Sequence, residues 1–328
     1  MNLFIRWSAL SFAIVVSATF AQAPVDGKKV VAVANNREIT EAAVQRFLKA
    51  LPEEKKAKAR PEVINMLVEN ALIAYYLDAL KIDVPAKEVD EQLAEIKKEA
   101  AEQKEKFEDV LVKMGFTEAE FKAEVRNSMR WEKFVKEQAT DEKLKNLFTT
   151  SPEFFDGTKV AARHILVAVE AKDGEKGKQE AYKKAQQILA GIKEQSALAI
   201  QKLPANPDPL VTEKAKHKAI EEVFINYAKA HSDCPSKRDG GNLGEFPRLE
   251  AMVEPFAKTA FEQKPYELGQ IVETQFGYHL ILVTDRKPGN KIDFEKVKPV
   301  VMYVYGTRLR DAVVETVKKS PATKIEYK

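Results

Sequence analysis

Residues 231–283, HSDCPSKRDGGNLGEFPRLEAMVEPFAKTAFEQKPYELGQIVETQFGYHLILV, constrain this chain more than any other stretch. Their glycines and aromatics recur at spacings that tight turns and short elements satisfy. Gly240 and Gly241 are free to take φ > 0, and Leu243 and Phe246 flank Gly244, so a turn feeds a short strand. Residues 255–261 then set Phe256 and Phe261, with Met252, on one side of a short helix. Residues 268–272 are expected to pair with 278–283 as a hairpin across Gly277. On spacing alone the aromatics read as core.

The remaining length allows two or three domains. The 53 basic and 50 acidic residues nearly balance and are interspersed along the chain, so no basic face forms and no nucleic-acid partner is expected. Residues 1–23 carry Arg6, an apolar run at 10–18 and the small-x-small site Ala21-Gln22-Ala23, which reads as a signal peptide cleaved near Ala23. The apolar run is shorter than the roughly 20 residues of a spanning helix, so no membrane span is expected in the mature form. Cys234 is the only cysteine, which excludes an intramolecular disulfide. His231 and Cys234 form an H-x-x-C pair with no second pair at ligand spacing, and Gly240 to Gly244 lacks the preceding strand of a dinucleotide site. No metal and no cofactor are expected.

In chain order, residues 28–34 suit a short strand, Asn35-Asn36 a turn and Thr40 an N-cap. Val44, Phe47, Leu48 and Leu51 mark an amphipathic helix that ends at Pro52, before a charged loop. Pro61 is placed at the first position of a second, largely apolar helix through residue 80. Gly115 is a C-cap, and Thr117 to Glu120 a capping box before Phe121, Val125, Met129 and Phe134. Residues 24–155 therefore read as a helical module, and the Pro and Gly segment at 151–157 marks the boundary to a domain over 156–288, followed by a last segment, 289–328. Asp293 caps its helix, with Val297, Val301, Val304, Leu309, Val313 and Val317 as the stripe. The stripe needs a partner; where the segment packs back on the N-terminal module, Ile325 and Tyr327 could pair with the strand at 30–33.

The blocks CPSKRDGGNLGEF, MVEPFAKTAF and QFGYHLILV, in that order and preceded by ARHILV at 162–167, closely resemble the parvulin family of peptidyl-prolyl cis/trans isomerases. The order before them, a short strand, NNREIT, a long apolar helix and GFTEAEF, resembles the N-terminal chaperone domain of the SurA and PrsA foldases. The resemblance implies an α+β protein: a helical N-terminal module, then a parvulin-type (FKBP-like) antiparallel sheet with helices, and a C-terminal helix packing back on the N-terminal module. Against the family's compact pattern, residues 193–218 are an insert. The charged loop 170–178 mixes Lys172, Lys176 and Lys178 with acids, unlike the basic cluster of phosphate-selective members.

By the same resemblance, Leu243, Met252 and Phe256 would grip a proline ring, with Phe276 beside them as substrate-binding residues. Cys234, with His164 and His279 as a mutually hydrogen-bonded pair and Thr274 in support, would face the rotating carbonyl as the catalytic residues. Without the resemblance, two histidines among apolar strand residues read as satisfied core. The implied partners are unfolded exported proteins or proline-containing peptides, met in a periplasm or outside the cell. Two functions stay open: an exported foldase that catalyses X-Pro rotation, and a holdase whose parvulin domain binds clients with little catalysis.

Overall fold

The computed structural model describes residues 29–169 and 174–328, so the signal-peptide expectation and Lys172 lie outside the described residues. The chain divides into two units: one holds the residues up to Asn146 together with Lys298–Lys328, the other Leu147–Val297.

In the first unit, β1 (Val30–Ala34) turns through Asn35 and Asn36 into β2 (Arg37–Thr40). Both asparagines take positive φ, 45° and 65°, the left-handed conformation that a two-residue hairpin demands and that asparagine tolerates. The Thr40 hydroxyl accepts from the Ala43 N–H and starts α1 (Glu41–Leu48). Phe47, expected in the apolar stripe of α1, instead stands 41% exposed, while Val44 and Leu48 are buried.

The next helix corrects the sequence reading. α2 runs over Glu53–Ala79 with Pro61 inside it, so the expected charged loop is its first two turns. EEKKAKAR is composed of strong helix formers with Glu53 and Glu54 at the positive end of the helix dipole. Arg60 also forks onto buried Glu41 at 2.7 and 2.6 Å, which holds the Glu41 carboxyl below the usual carboxylate range. These contacts offset the backbone hydrogen bond that Pro61 cannot make.

Three further helices, α3 (Ala86–Glu102), α4 (Phe107–Met114) and α5 (Glu118–Gln138), enclose Val84, Val89, Leu93, Phe107, Leu111, Phe121 and Val125. Gly115 ends α4 at φ 75°, and Thr117 with Glu120 forms the reciprocal capping box of α5. α6 (Asp141–Thr150) follows.

The second unit is built on an antiparallel sheet. Its strands are β3 (Lys159–Ala168), β4 (Asn242–Pro247), β5 (Val272–Thr274) and β6 (Gly277–Lys287), in the order β4-β3-β6-β5. Between β3 and β4 the chain forms α7 (Gly174–Gln201) and α8 (Pro209–His231); α9 (Glu254–Glu262) follows β4. Residues 174–178, expected in a loop, are the first turn of α7, paired as Lys178–Glu175 and Lys176–Glu180. Residues 268–271, expected in the hairpin, lie outside it, because only Val272–Thr274 pairs with β6.

Side chains alternate across the pleat, so the sheet has two cores. One face packs Ile165, Val167, Leu280 and Leu282 against Ala185, Ile188, Ile192 and Phe224 of α7 and α8. The other packs Val160, Ala162, Ile281 and Val283 against Phe246 and against Phe256, Ala260 and Phe261.

The chain then returns to the first unit. α10 (Phe294–Lys319) buries Val313, Val314 and Val317 with Val31, Val68 and Leu72, and Lys318 pairs with Glu69. β7 (Ile325–Tyr327) adds to β1, with Ala32 opposite Tyr327 and Ala34 opposite Ile325, completing the order β2-β1-β7. Among the described residues, no helix is long and apolar enough to cross a membrane.

Candidate active site

The β3–β6 register places Leu166 opposite His279 and His164 opposite Ile281, so the two histidines are diagonal neighbours. Alternation turns both toward the α9 face. There the rings lie 5.5 Å apart and 17° from parallel, and Nδ1 of one is 3.2 Å from Nδ1 of the other. His164 Nε2 lies 3.1 Å from Ser236 Oγ, and His279 Nε2 lies 2.8 Å from Thr274 Oγ1. The result is one chain of polar groups, Ser236–His164–His279–Thr274, across a sheet face that is otherwise apolar.

The two histidines are 6% and 4% exposed. Burial pushes each down to about 4, and for His279 the neighbouring His164 adds to the effect. Both rings are therefore neutral near pH 7. A contact between two Nδ1 atoms needs one N–H and one lone pair, so the rings must be in opposite tautomers. The Ser236 and Thr274 hydroxyls, each able to donate or accept, satisfy either assignment. Thr274 Oγ1 is itself held by the Phe276 N–H at 3.1 Å.

Phe256 stands edge-on to both rings, with centroids 5.7 and 5.4 Å away at 82° and 81°. It is buried, and Leu243 and Met252, both partly buried, pack against the same cluster. An apolar surface thus adjoins a neutral polar chain, an arrangement that suits one flat apolar ring next to one polar amide.

The segment from Ser232 to Gly241 is laced to β3 at both ends. Ser232 Oγ accepts from the N–H groups of Leu166 and Cys234, and Asp233 donates its N–H to the Leu166 carbonyl at 2.8 Å. At the other end the His164 N–H donates to the Gly241 carbonyl at 2.9 Å. Cys234 heads the 3-10 turn Pro235–Asp239 and is half-buried, and its thiol makes no hydrogen bond to His164 or His279. Phe276 lies on the β5–β6 turn, 38% exposed. The structure therefore brings His164, His279, Thr274 and Phe256 into direct contact, with Leu243 and Met252 in the same cluster.

Ser236 is the residue that sequence reasoning missed. Its only signal is its place two residues after Cys234 in a glycine-terminated turn. Two clefts, of about 380 and 680 Å³, are lined wholly by residues of the first unit and by none of this site.

Comparison with known proteins gives two family matches and three relatives. Residues 210–285 match the PPIC-type PPIASE domain, and residues 2–135 match the SurA-like N-terminal domain. A protein described as foldase protein PrsA 1 of Bacillus cereus is 31% identical over 73% of this chain and 64% of its own length; a foldase protein PrsA of Levilactobacillus brevis is 25% identical over 88% of this chain and 80% of its own. The chain thus spans just under two thirds of the first relative. The peptidyl-prolyl cis-trans isomerase Pin1 of Malus domestica is 34% identical over 38% of this chain and 93% of its own length. The matched domain 210–285 includes Cys234 and His279 but starts after His164, which the fold brings to it through β3.

Proposed function

Because this chain belongs to the parvulin family of peptidyl-prolyl cis-trans isomerases, with a SurA-like N-terminal domain and PrsA foldases among its relatives, we propose that it rotates X-Pro bonds in unfolded exported proteins without covalent chemistry. The observation that carries this reading is the neutral chain Ser236–His164–His279–Thr274 set beside Phe256.

A peptide bond resists rotation by about 18–20 kcal/mol because twisting it breaks conjugation. No proton has to move, and a thousandfold acceleration requires only about 4 kcal/mol. Leu243, Met252 and Phe256 hold the proline ring, with Phe276 closing one side, so one half of the rotating bond is fixed. The polar chain, with the Cys234 thiol, meets the carbonyl as it regains single-bond character. Neutral imidazoles contribute hydrogen bonds here rather than charge. With Phe276 at its rim, the site suits unphosphorylated X-Pro bonds with an apolar residue before the proline.

Residues 1–23 act as the signal peptide, and the mature protein works in a periplasm or outside the cell. Residues 24–155 are the chaperone-like domain, 156–288 the isomerase domain with its insert at 193–218, and 289–328 the returning segment. A second activity, holding clients, is favoured by the cleft of about 380 Å³ lined by Ile39, Leu67, Ala71, Ala74 and Trp131 in the first unit.

The test is exchange spectroscopy on an Ala-Pro peptide with the full chain and with Phe256→Ala. Catalysed exchange that disappears in the variant supports the reading. A folded wild type that leaves the exchange rate unchanged refutes it and leaves the holding activity.

A further inference from the structure

Arg163 precedes His164 on β3, and the pleat turns it away from the histidine pair toward α8. Its Nε donates to Glu221 Oε1 of α8 at 2.8 Å. Its Nη1 donates to the carbonyls of Asp239 at 2.9 Å and Gly240 at 3.3 Å, the end of the turn that carries Ser236. One planar guanidinium thus joins a helix carboxylate to two backbone carbonyls, a geometry that a lysine ammonium does not reproduce.

The carboxylate is held in turn. Glu221 Oε2 accepts from the Tyr266 hydroxyl at 3.4 Å, and the Tyr266 ring stacks on His217, one helical turn before Glu221, at 4.1 Å and 10°. Tyr266 sits at φ 61°, rare for a bulky residue, with its N–H bonded to the Val283 carbonyl at 2.8 Å. The turn also rests directly on α8, because a Cβ on Gly240 would lie 2.8 Å from Ile225 Cγ2. Helix α8 therefore backs the segment whose front presents Ser236 to His164.

We propose that Arg163, held by Glu221, is a positioning residue for the isomerase site: it fixes the turn 235–241 so that Ser236 Oγ stays on His164 Nε2. The proposal rests on the isomerase reading above. It also gives α8 a role at the site that none of its own side chains performs by touching the histidine pair.

The test uses the full chain with Glu221→Ala and Arg163→Lys. Alanine suits a half-exposed helix position, so the first variant keeps the fold even if the second does not. Two quantities are read: catalysed exchange of an Ala-Pro peptide across a concentration series, and the imidazole 15N shifts of His164. The expected result is a drop of tenfold or more in the saturating rate, an unchanged half-saturating concentration, and moved His164 signals. Exchange within twofold of wild type overturns the proposal, and so does a slower rate with unmoved His164 signals. If the wild type itself catalyses nothing, the isomerase reading fails; the His164 signals then decide positioning alone, and unmoved signals in Glu221→Ala overturn it.

Discussion

The carbonyl oxygen of His164 stands 2.2 Å from the point at which a side chain on Gly241 would begin. Gly241 also holds φ 77°, so an alanine there meets both a backbone clash and an unfavourable conformation. Gly244, at φ 67° with nothing within 4 Å of an added Cβ, carries only the second penalty. Gly244→Ala is expected to cost about 1–2 kcal/mol, the usual left-handed penalty. Gly241→Ala should cost at least about 2 kcal/mol more, because the strand pair itself must move. Urea unfolding of both variants checks the ordering, and equal losses would contradict the close approach.

The buried histidine pair makes stability depend on pH in a definite direction. Each ring titrates near its ordinary value of 6.5 when unfolded and at about 4 when folded. Between those values the unfolded chain binds protons that the folded chain refuses, so stability falls as pH drops from about 6.5 toward 4. A full shift of this size corresponds to about 3 kcal/mol per ring. Unfolding measured at pH 7, 6, 5 and 4.5, in the wild type and in a His164→Phe/His279→Phe variant, should show a steeper decline in the wild type. Parallel curves would mean that the rings are not held neutral. Peptide exchange should stay flat between pH 8 and about 5.5, since neither ring changes charge there.

The site was legible through the family blocks, each a run of neighbours in sequence, whereas spacing alone left its histidines and aromatics as core. Strand alternation puts His164 and His279 on one sheet face and Gly240-Gly241 permit the turn, but the pairing of the two rings was named by the family resemblance. The helix that carries Phe256 follows from its spacing, but the ring's place in a proline pocket was named by the resemblance. Ser236 and Arg163 were not readable, because their partners are set by a turn that packs on a helix many residues away. The same reason hid the start of α2. Pro61 is a sound first-position signal by local rules, but Arg60 finds Glu41 only in the folded unit. The return of the C-terminus was legible because the stripe of α10 requires a partner and the foldase resemblance names the N-terminal module as that partner.

Thr274 and Ser236 end the same polar chain but differ in what their loss strands. Replacing Thr274 with valine leaves Nε2 of the buried His279 without its hydroxyl partner. A stranded buried group costs about 1–3 kcal/mol. Ser236 is only partly buried, so water can replace its hydroxyl in Ser236→Ala. Thermal unfolding should therefore show Thr274→Val at least about 1 kcal/mol less stable than Ser236→Ala. Catalysed exchange should fall in both variants, and more in Thr274→Val. A greater loss of stability in Ser236→Ala would place the sensitive end of the chain at the wrong histidine.

Removing Lys298–Lys328 should unfold the first unit while sparing the second. The segment supplies Val313, Val314 and Val317 to the core around Leu72 and Val68, and its β7 covers the edge of β1. Burial of three valines is worth about 1.5–3 kcal/mol each relative to exposure, comparable with the whole stability of a small domain. The sheet of the second unit draws its core from residues 160–283 and loses no buried side chain to the truncation. Hydrogen exchange of the truncated chain should show protection lost across α2 and α5 and retained across β3 and β6. Uniform loss of protection in both units would mean that the second unit depends on the first for its own stability.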